Sequence, residues 1–207
     1  MPRVHKIKAR KDYPNEGIKK GDFYWKTKFK TGPASGFVKR FKTEPTPSQL
    51  TQSPFKSAFL GAEEEWNRSD KDEEALRAAA EAIQELADEC QNNFDNMPEA
   101  LQMGDTGQMV ETRANECERI ASALEDLAGE LEDLDEPEEY DDEPFDPSDY
   151  AEEMSEMDPE DVGEFLTGKE QEHDERISEA QEGHDHYHSE IARIQEEADS
   201  LLGEMPE

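Results

Sequence analysis

Residues 22–43 alternate between apolar and polar side chains with a period of two, the pattern of a half-buried strand. The alternation breaks at the stretch TGPASG and then resumes, which predicts two antiparallel strands joined by a hairpin loop. One face of the first strand carries Phe23, Trp25, Thr27 and Phe29, and the other carries Tyr24, Lys26, Lys28 and Lys30. Residues 1–21 are basic, with an early proline and two glycines, and are expected to form an irregular arm.

Paired residues of an antiparallel ribbon lie on the same face, and this fixes a register. Pairing Trp25 with Phe41 and Phe29 with Phe37 places aromatic rings opposite each other. The second face then collects Tyr24, Lys26, Lys28, Lys30, Arg40 and Lys42. Like charges on neighbouring strands repel each other, so this face predicts a binding surface for an anionic partner.

The aromatic face of the ribbon needs a cover, because a lone hairpin is marginally stable in water. Phe55 and Phe59 follow a proline-rich stretch and stand at helical spacing. They are expected to pack on the aromatic face.

Two heptad repeats follow, one in residues 62–97 and one that begins near Gly107. The apolar positions of the first are Leu76, Ile83, Cys90 and Met97, and those of the second are Val110, Cys117, Leu124 and Leu131. The short, glycine-containing connection favours an antiparallel helical hairpin. Its layers pair Leu76 with Leu131, Ile83 with Leu124, Cys90 with Cys117 and Met97 with Val110.

The rest of the chain is acidic. Residues 135–160 contain four prolines and predict a flexible linker, and residues 161–207 carry a third heptad repeat. The predicted fold is mainly α with a small N-terminal β-hairpin. Its parts are a basic arm and hairpin module (1–60), a long antiparallel helical hairpin (61–134), the linker and a C-terminal acidic helix. That helix is expected either to pack on the hairpin or to self-associate.

Charge divides the chain sharply. Residues 1–60 hold 14 Lys and Arg against 4 Asp and Glu, a net charge of +10, and the remaining residues carry −43 of the total of −33. This asymmetry predicts two parts with different partners. The N-terminus lacks the apolar segment of a secretory signal, and two cysteines do not make a disulfide framework. We therefore expect a reducing, cytoplasmic setting without contact to a membrane.

Two phrases of the sequence carry a resemblance to a known family. NMPEALQMGDTGQMVETRANECERI and RVHKIKARKDYPNEGIKKGDFYWKTKF…PTPSQLTQSPF resemble a family of bacteriophage and prophage proteins over about residues 1–134. No activity is attached to that family, so the resemblance implies a phage context, in the host cytoplasm or in a virion, and no catalytic residue. The ribbon is also similar to the arm-DNA-binding domain of phage integrases, through Trp25, the alternating lysines, Phe41 and Lys42. The integrase catalytic domain has no counterpart here.

The basic face of the ribbon is the first candidate for function. Its cations can neutralise phosphates and Tyr24 can stack on a base, although an acidic protein surface or the chain's own acidic segments would suit the same cations. The acidic helices are the second candidate, because carboxylates along a helix can imitate the phosphates of DNA. A solvated face on a coiled coil explains the same acidic pattern.

Other residues suggest little chemistry. His184 and His188 share a helix face and could supply two ligands of a metal site, but a solvent-exposed histidine run accounts for them better. Cys90 and Cys117 fit as small core residues, with a regulatory disulfide as the alternative. The sequence predicts no enzyme and no cofactor.

The sequence therefore predicts a non-enzymatic, phage-type binding or adaptor protein. Its basic ribbon engages nucleic acid or an acidic protein surface, and its acidic helices mediate oligomerisation or docking of a host or phage protein. The alternatives are an acidic DNA mimic that inhibits a host nucleic-acid enzyme or defence system, and a scaffold-like virion or assembly protein.

Overall fold

The computed structural model describes residues 2–30, 32, 34–137 and 143–206. The chain is mainly helical with a small antiparallel sheet at its N-terminus, as predicted. It divides into two compact units, one formed by Met1–Glu132 with Glu196–Glu207 and the other by Asp133–Gln195.

The sheet has three strands, β1 (Val4–Lys8), β2 (Phe23–Lys28) and β3 (Val38–Phe41), in that spatial order. The predicted register is confirmed, because Trp25 pairs with Phe41 and the Phe29 N–H donates to the Phe37 carbonyl at 3.2 Å. The expectation of an irregular arm was wrong for β1, which pairs along β2. Its five residues, VHKIK, are too few for the alternation to predict a strand within a basic stretch. Pairing with β2 stabilises this short strand.

The rest of the arm folds over one face of the sheet. The buried residues Ala9, Ile18 and Tyr24 form a small core, against which Ile7 and Tyr13 pack. A 3₁₀ turn at Pro14–Glu16 reverses the chain, and the Tyr13–Ile18 bridge closes it. This core gives the sheet the apolar support that an isolated ribbon lacks.

The helices α1 (Pro47–Leu50) and α2 (Pro54–Trp66) follow the sheet. Glu64 of α2 accepts hydrogen bonds from the backbone N–H and the hydroxyl of Ser48 in α1, both at 2.8 Å. Burial alone would raise the pKa of Glu64, but these hydrogen bonds outweigh it and the pKa is lowered. A half-buried carboxylate therefore ties the two helices together.

The single helix predicted from residue 62 is interrupted. α2 ends at Trp66, and α3 (Glu73–Asp95) begins after Asp72, whose side chain accepts from the Ala75 N–H at 2.9 Å. Lys71 before it has a φ of 56°, which no helix accommodates. The heptad pattern continues across this break because both helices bury an apolar face, so periodicity alone could not locate it.

The helical hairpin consists of α3 and α5 (Asp105–Glu132), joined through the short helix α4 (Glu99–Gln102). The two long helices run antiparallel, because Arg77 near the start of α3 forms ion pairs with Glu125 and Glu132 near the end of α5. The inner layers are buried and contain Leu76, Ile83, Cys90, Cys117 and Leu124. Met97, Val110 and Leu131 lie near the two ends of the hairpin and are only half-buried.

The chain's last long helix is α7 (Val162–Gly203). Within the first unit, Ala198, Leu201 and Leu202 near its end are buried. Asp199 accepts hydrogen bonds from Trp66 Nε1 and Lys71 Nζ, both at 2.7 Å. These contacts attach the end of α7 at the junction of α2 and α3.

The second unit contains local structure where a flexible linker was expected. Of the predicted linker 135–160, residues 138–142 lie outside the described residues, but a 3₁₀ turn (Pro147–Tyr150) and helix α6 (Ala151–Ser155) follow. Phe145 stacks on Tyr150, with ring centroids 5.7 Å apart, and Tyr150 meets the edge of Phe165 of α7. Two aromatic residues in an acidic, proline-rich stretch thus fold it back onto the helix.

The glycine at the start of α5 permits the tight connection. A Cβ at Gly107 would lie 2.2 Å from the backbone oxygen of Gln102, so we expect Gly107→Ala to destabilise the protein by about 1–3 kcal/mol. Gly129→Ala in the same helix is the matched control, because a Cβ there meets nothing within 4 Å. It should stabilise by about 0.5–1 kcal/mol. Urea unfolding measures both, and equal effects would contradict the steric role of Gly107.

The Asp199 contacts make stability depend on pH. Burial opposes ionisation of Asp199, but the hydrogen bonds from Lys71 and Trp66 prevail and lower its pKa. Its stabilisation is therefore present above the unfolded pKa, about 3.9, and is lost as pH falls through the lower folded value. Asp199→Asn should lower the urea midpoint at pH 7, and the difference from wild type should shrink near pH 3. Asp126→Asn, at an exposed carboxylate of α5, should show neither effect in the same tryptophan-fluorescence titrations.

Candidate nucleic-acid interface

One face of the sheet forms the wall of a basic groove of about 640 Å³. Alternation on β1 and β2 sends His5, Ile7, Lys26 and Lys28 to this face, and cross-strand pairing sets His5 opposite Lys26. Leu50 at the end of α1 and the following Gln52 close one end. The basic side chains around the groove are the imidazole of His5 and the cations Arg3, Lys26, Lys28 and Lys30.

These cations keep their charge available. Across the described part of the chain, none of the five basic side chains takes part in an ion pair, and no acidic side chain lines the groove. Lys26 and Lys28 are two residues apart on one strand, which separates them by about 7 Å. A row of cations at this spacing beside apolar side chains suits an extended polyanion better than a single small ion.

Tyr24 does not belong to this binding surface. The sequence placed it beside the lysines as a residue that stacks on bases, but its side chain is 3 % exposed. Its ring packs against Tyr13, with centroids 5.6 Å apart. Burial, together with the hydrogen bond to Tyr13, raises the pKa of Tyr24. The assignment of Tyr24 to the binding site was therefore wrong, because the folded arm covers its end of the face.

Arg40 is also occupied within the fold. Its guanidinium lies 4.3 Å from the centre of the Tyr13 ring and forms an ion pair with Glu16 at 3.2 Å. Burial alone would lower the pKa of Arg40, but the hydrogen bond to Glu16 and the interactions with Tyr13 and Tyr24 together outweigh it, and the pKa is raised. Arg40 stands opposite Lys26, and the two cations repel each other. From the sequence, an external anion was expected to relieve this repulsion, but Glu16 of the same chain does so.

Lys42 is exposed but lies outside the groove. It lines a shallow cavity of about 700 Å³ at the other end of the sheet, together with Lys19 and Phe23. Of the six predicted binding residues, the structure therefore brings together Lys26, Lys28 and Lys30. Sequence reasoning missed Arg3 and His5, for which the brief alternation of β1 was the available signal.

The aromatic face is less covered than expected. Phe59 is fully buried, but Phe55 is half-buried with the guanidinium of Arg113 4.9 Å from its ring centre. Thr27 and Phe29 are buried at one end of the face. At the other end Trp25 and Phe41 are half-exposed and Phe23 is 63 % exposed.

The remaining candidates offer little chemistry. The rings of His184 and His188 lie 6.4 Å apart on α7, and the described residues contain no cluster of three or more His, Cys, Asp or Glu arranged to hold a metal ion. Cys90 and Cys117 are free thiols in the hairpin core. Burial raises the pKa of both, to about 12 for Cys117, which suppresses the reactive thiolate.

Comparison with known proteins yields no relative: the chain matches no protein-family model, no curated protein and no solved structure. Within the described residues, no helix combines the length and the apolar character that crossing a bilayer requires. The function is therefore argued from the geometry of the groove.

The different roles of Arg40 and Lys28 can be measured. Arg40→Ala removes the contacts with Glu16 and Tyr13 and should destabilise the sheet by about 1–3 kcal/mol, whereas Lys28→Ala at an exposed site should not. Hydrogen–deuterium exchange of peptides that cover β2 reports the difference. Arg40→Lys should rescue only partly, because an ammonium lacks the planar guanidinium. Unchanged exchange in Arg40→Ala would contradict the structural role of Arg40 and leave it as a candidate binding residue.

Proposed function

We propose that this chain is a non-enzymatic binding protein of phage type whose N-terminal module binds nucleic acid through the phosphate backbone. The observation that carries the proposal is the convergence of Arg3, His5, Lys26, Lys28 and Lys30 on one groove that no Asp or Glu of the described residues lines. Cations in such a row bind a polyanion by displacing its condensed counterions. The similarity of the ribbon to integrase arm-binding domains points in the same direction.

The choice of nucleic acid over an acidic protein surface rests on the shape and composition of the site. The groove is partly open to solvent, and its lining includes the apolar side chains of Ile7 and Leu50. An extended phosphate chain can follow such a groove with its sugars against these apolar side chains. A folded acidic surface would have to present a protruding, extended segment to reach the same lysines.

The acidic helices have a separate part in this proposal. The first unit holds the helical hairpin next to the basic module in sequence, and most of the −43 charge lies on exposed helical positions. We assign these surfaces to docking of a protein partner or to oligomerisation, which makes the chain an adaptor between a nucleic acid and a protein.

The test is nucleic-acid binding by the full-length protein at low salt. Fluorescence anisotropy with labelled single-stranded and duplex oligonucleotides should show binding that weakens steeply as salt rises. The variant Lys26→Gln, Lys28→Gln, Lys30→Gln should lose most of the affinity. The slope of log affinity against log salt should become shallower by about 2, because roughly three phosphate contacts disappear.

The matched control is Lys19→Gln, Lys20→Gln, Lys56→Gln, which removes the same charge from outside the groove. Its affinity should remain close to that of wild type. An equal loss of affinity in both variants would show that net charge alone causes the effect, and it would contradict binding at the groove. Binding of polyglutamate as tight as that of nucleic acid would instead favour an acidic protein surface as the partner.

A further inference from the structure

The face of the sheet opposite the groove carries three aromatic residues that the fold leaves partly open. Phe23 and Trp25 alternate along β2, and Phe41 of β3 pairs directly with Trp25, so all three belong to one face. Phe23 is 63 % exposed, and the other two are half-exposed. An exposed phenylalanine on a strand loses hydrophobic stabilisation, so an aromatic cluster kept open on a small sheet indicates a ligand with flat apolar surfaces.

Lysines of β1 accompany these rings. Lys6 pairs with Trp25 and Lys8 with Phe23, and their ammonium groups lie 5.4 Å and 5.9 Å from the respective ring centres. The strands themselves contain no Asp or Glu. The carboxylate of the adjacent Asp22 accepts a hydrogen bond from the Lys19 N–H at 2.8 Å. The face therefore alternates aromatic rings with cations.

A surface of alternating rings and cations suits single-stranded nucleic acid, because the rings can stack on unpaired bases and the cations can contact the phosphates. Stacking on aromatic side chains is tolerant of base identity, and sheets that bind single strands present two or three such rings. We infer that Phe23, Trp25 and Phe41 form a stacking platform for the unpaired bases of single-stranded nucleic acid, with Lys6 and Lys8 placed for its phosphates. This inference rests on the proposed function and specifies its ligand.

The arrangement of the two faces favours a single strand over a duplex. The groove with Lys26 and Lys28 and the platform with Trp25 lie on opposite faces of the same three strands. A ligand that reaches both must turn around the edge of the sheet at β1, where His5 and Lys6 point to alternate faces. A duplex is far too stiff for such a turn, since its persistence length is about 150 base pairs.

The test uses the full-length protein and three labelled ligands of roughly 15 nucleotides, within the range that single-strand-binding modules cover. The ligands are oligothymidylate, an abasic strand of the same length and a duplex. Oligothymidylate should bind tightest, and Phe23→Leu should weaken its binding roughly 5- to 50-fold while leaving the abasic strand unaffected. Phe37→Leu is the control, because Phe37 is 71 % exposed at the opposite end of the ribbon and should leave all three unchanged.

A spectroscopic readout identifies the stacked ring directly. Binding of oligothymidylate should quench the emission of Trp25, whereas Trp66 is 2 % exposed and out of reach. In Trp25→Phe, which keeps an aromatic ring at this position, binding should persist and the quenching should disappear.

The outcomes separate the two proposals. If no ligand binds, both fail. If the abasic strand or the duplex binds as tightly as oligothymidylate, or if Phe23→Leu and Phe37→Leu act equally, the platform fails. In that case the groove stands if the variant Lys26→Gln, Lys28→Gln, Lys30→Gln still loses binding.

Discussion

The contact of Arg40 with Glu16 and Tyr13 is the interaction on which the N-terminal module depends. The sheet brings six lysine and arginine side chains onto three short strands, and Lys26 and Arg40 stand directly opposite each other. Glu16 neutralises the half-buried guanidinium of Arg40, and the Tyr13 ring covers its flat face. The remaining cations can then stay in solvent, where their mutual repulsion is weak.

This contact also decides which residues are left for a ligand. The turn that carries Glu16 is part of the arm that buries Tyr24, and the same arm supplies β1 with Arg3 and His5. Packing and the proposed binding are thus divided between the two ends of one face. The end near Tyr24 is packed, whereas the end near Lys28 is an open groove whose charges have no counterpart among the described side chains.

The parts of the fold that could be predicted from the sequence are those with a repeated signal. Strict alternation fixed the pairing of Trp25 with Phe41, and heptad spacing identified the buried layers with Leu76, Ile83 and Cys117. β1 and the break before Asp72 could not be predicted, because each depends on a few residues whose conformation is set by tertiary contacts. Tyr24 was expected to be exposed and is buried, whereas Phe23 was expected to be covered and is exposed. Alternation shows which residues share a face but not what covers that face.

The acidic remainder of the chain constrains how the groove can work. With a net charge of −33, the whole protein repels nucleic acid at distances where its charges act together. At physiological salt the screening length is about 8 Å, so a phosphate that has entered the groove interacts mainly with its lining lysines. Lower salt strengthens those contacts but also lengthens the reach of the repulsion, which slows approach. If the groove binds nucleic acid as proposed, the acidic helices would therefore suppress loose association with any polyanion and favour a ligand whose bases add stacking to the charge contacts.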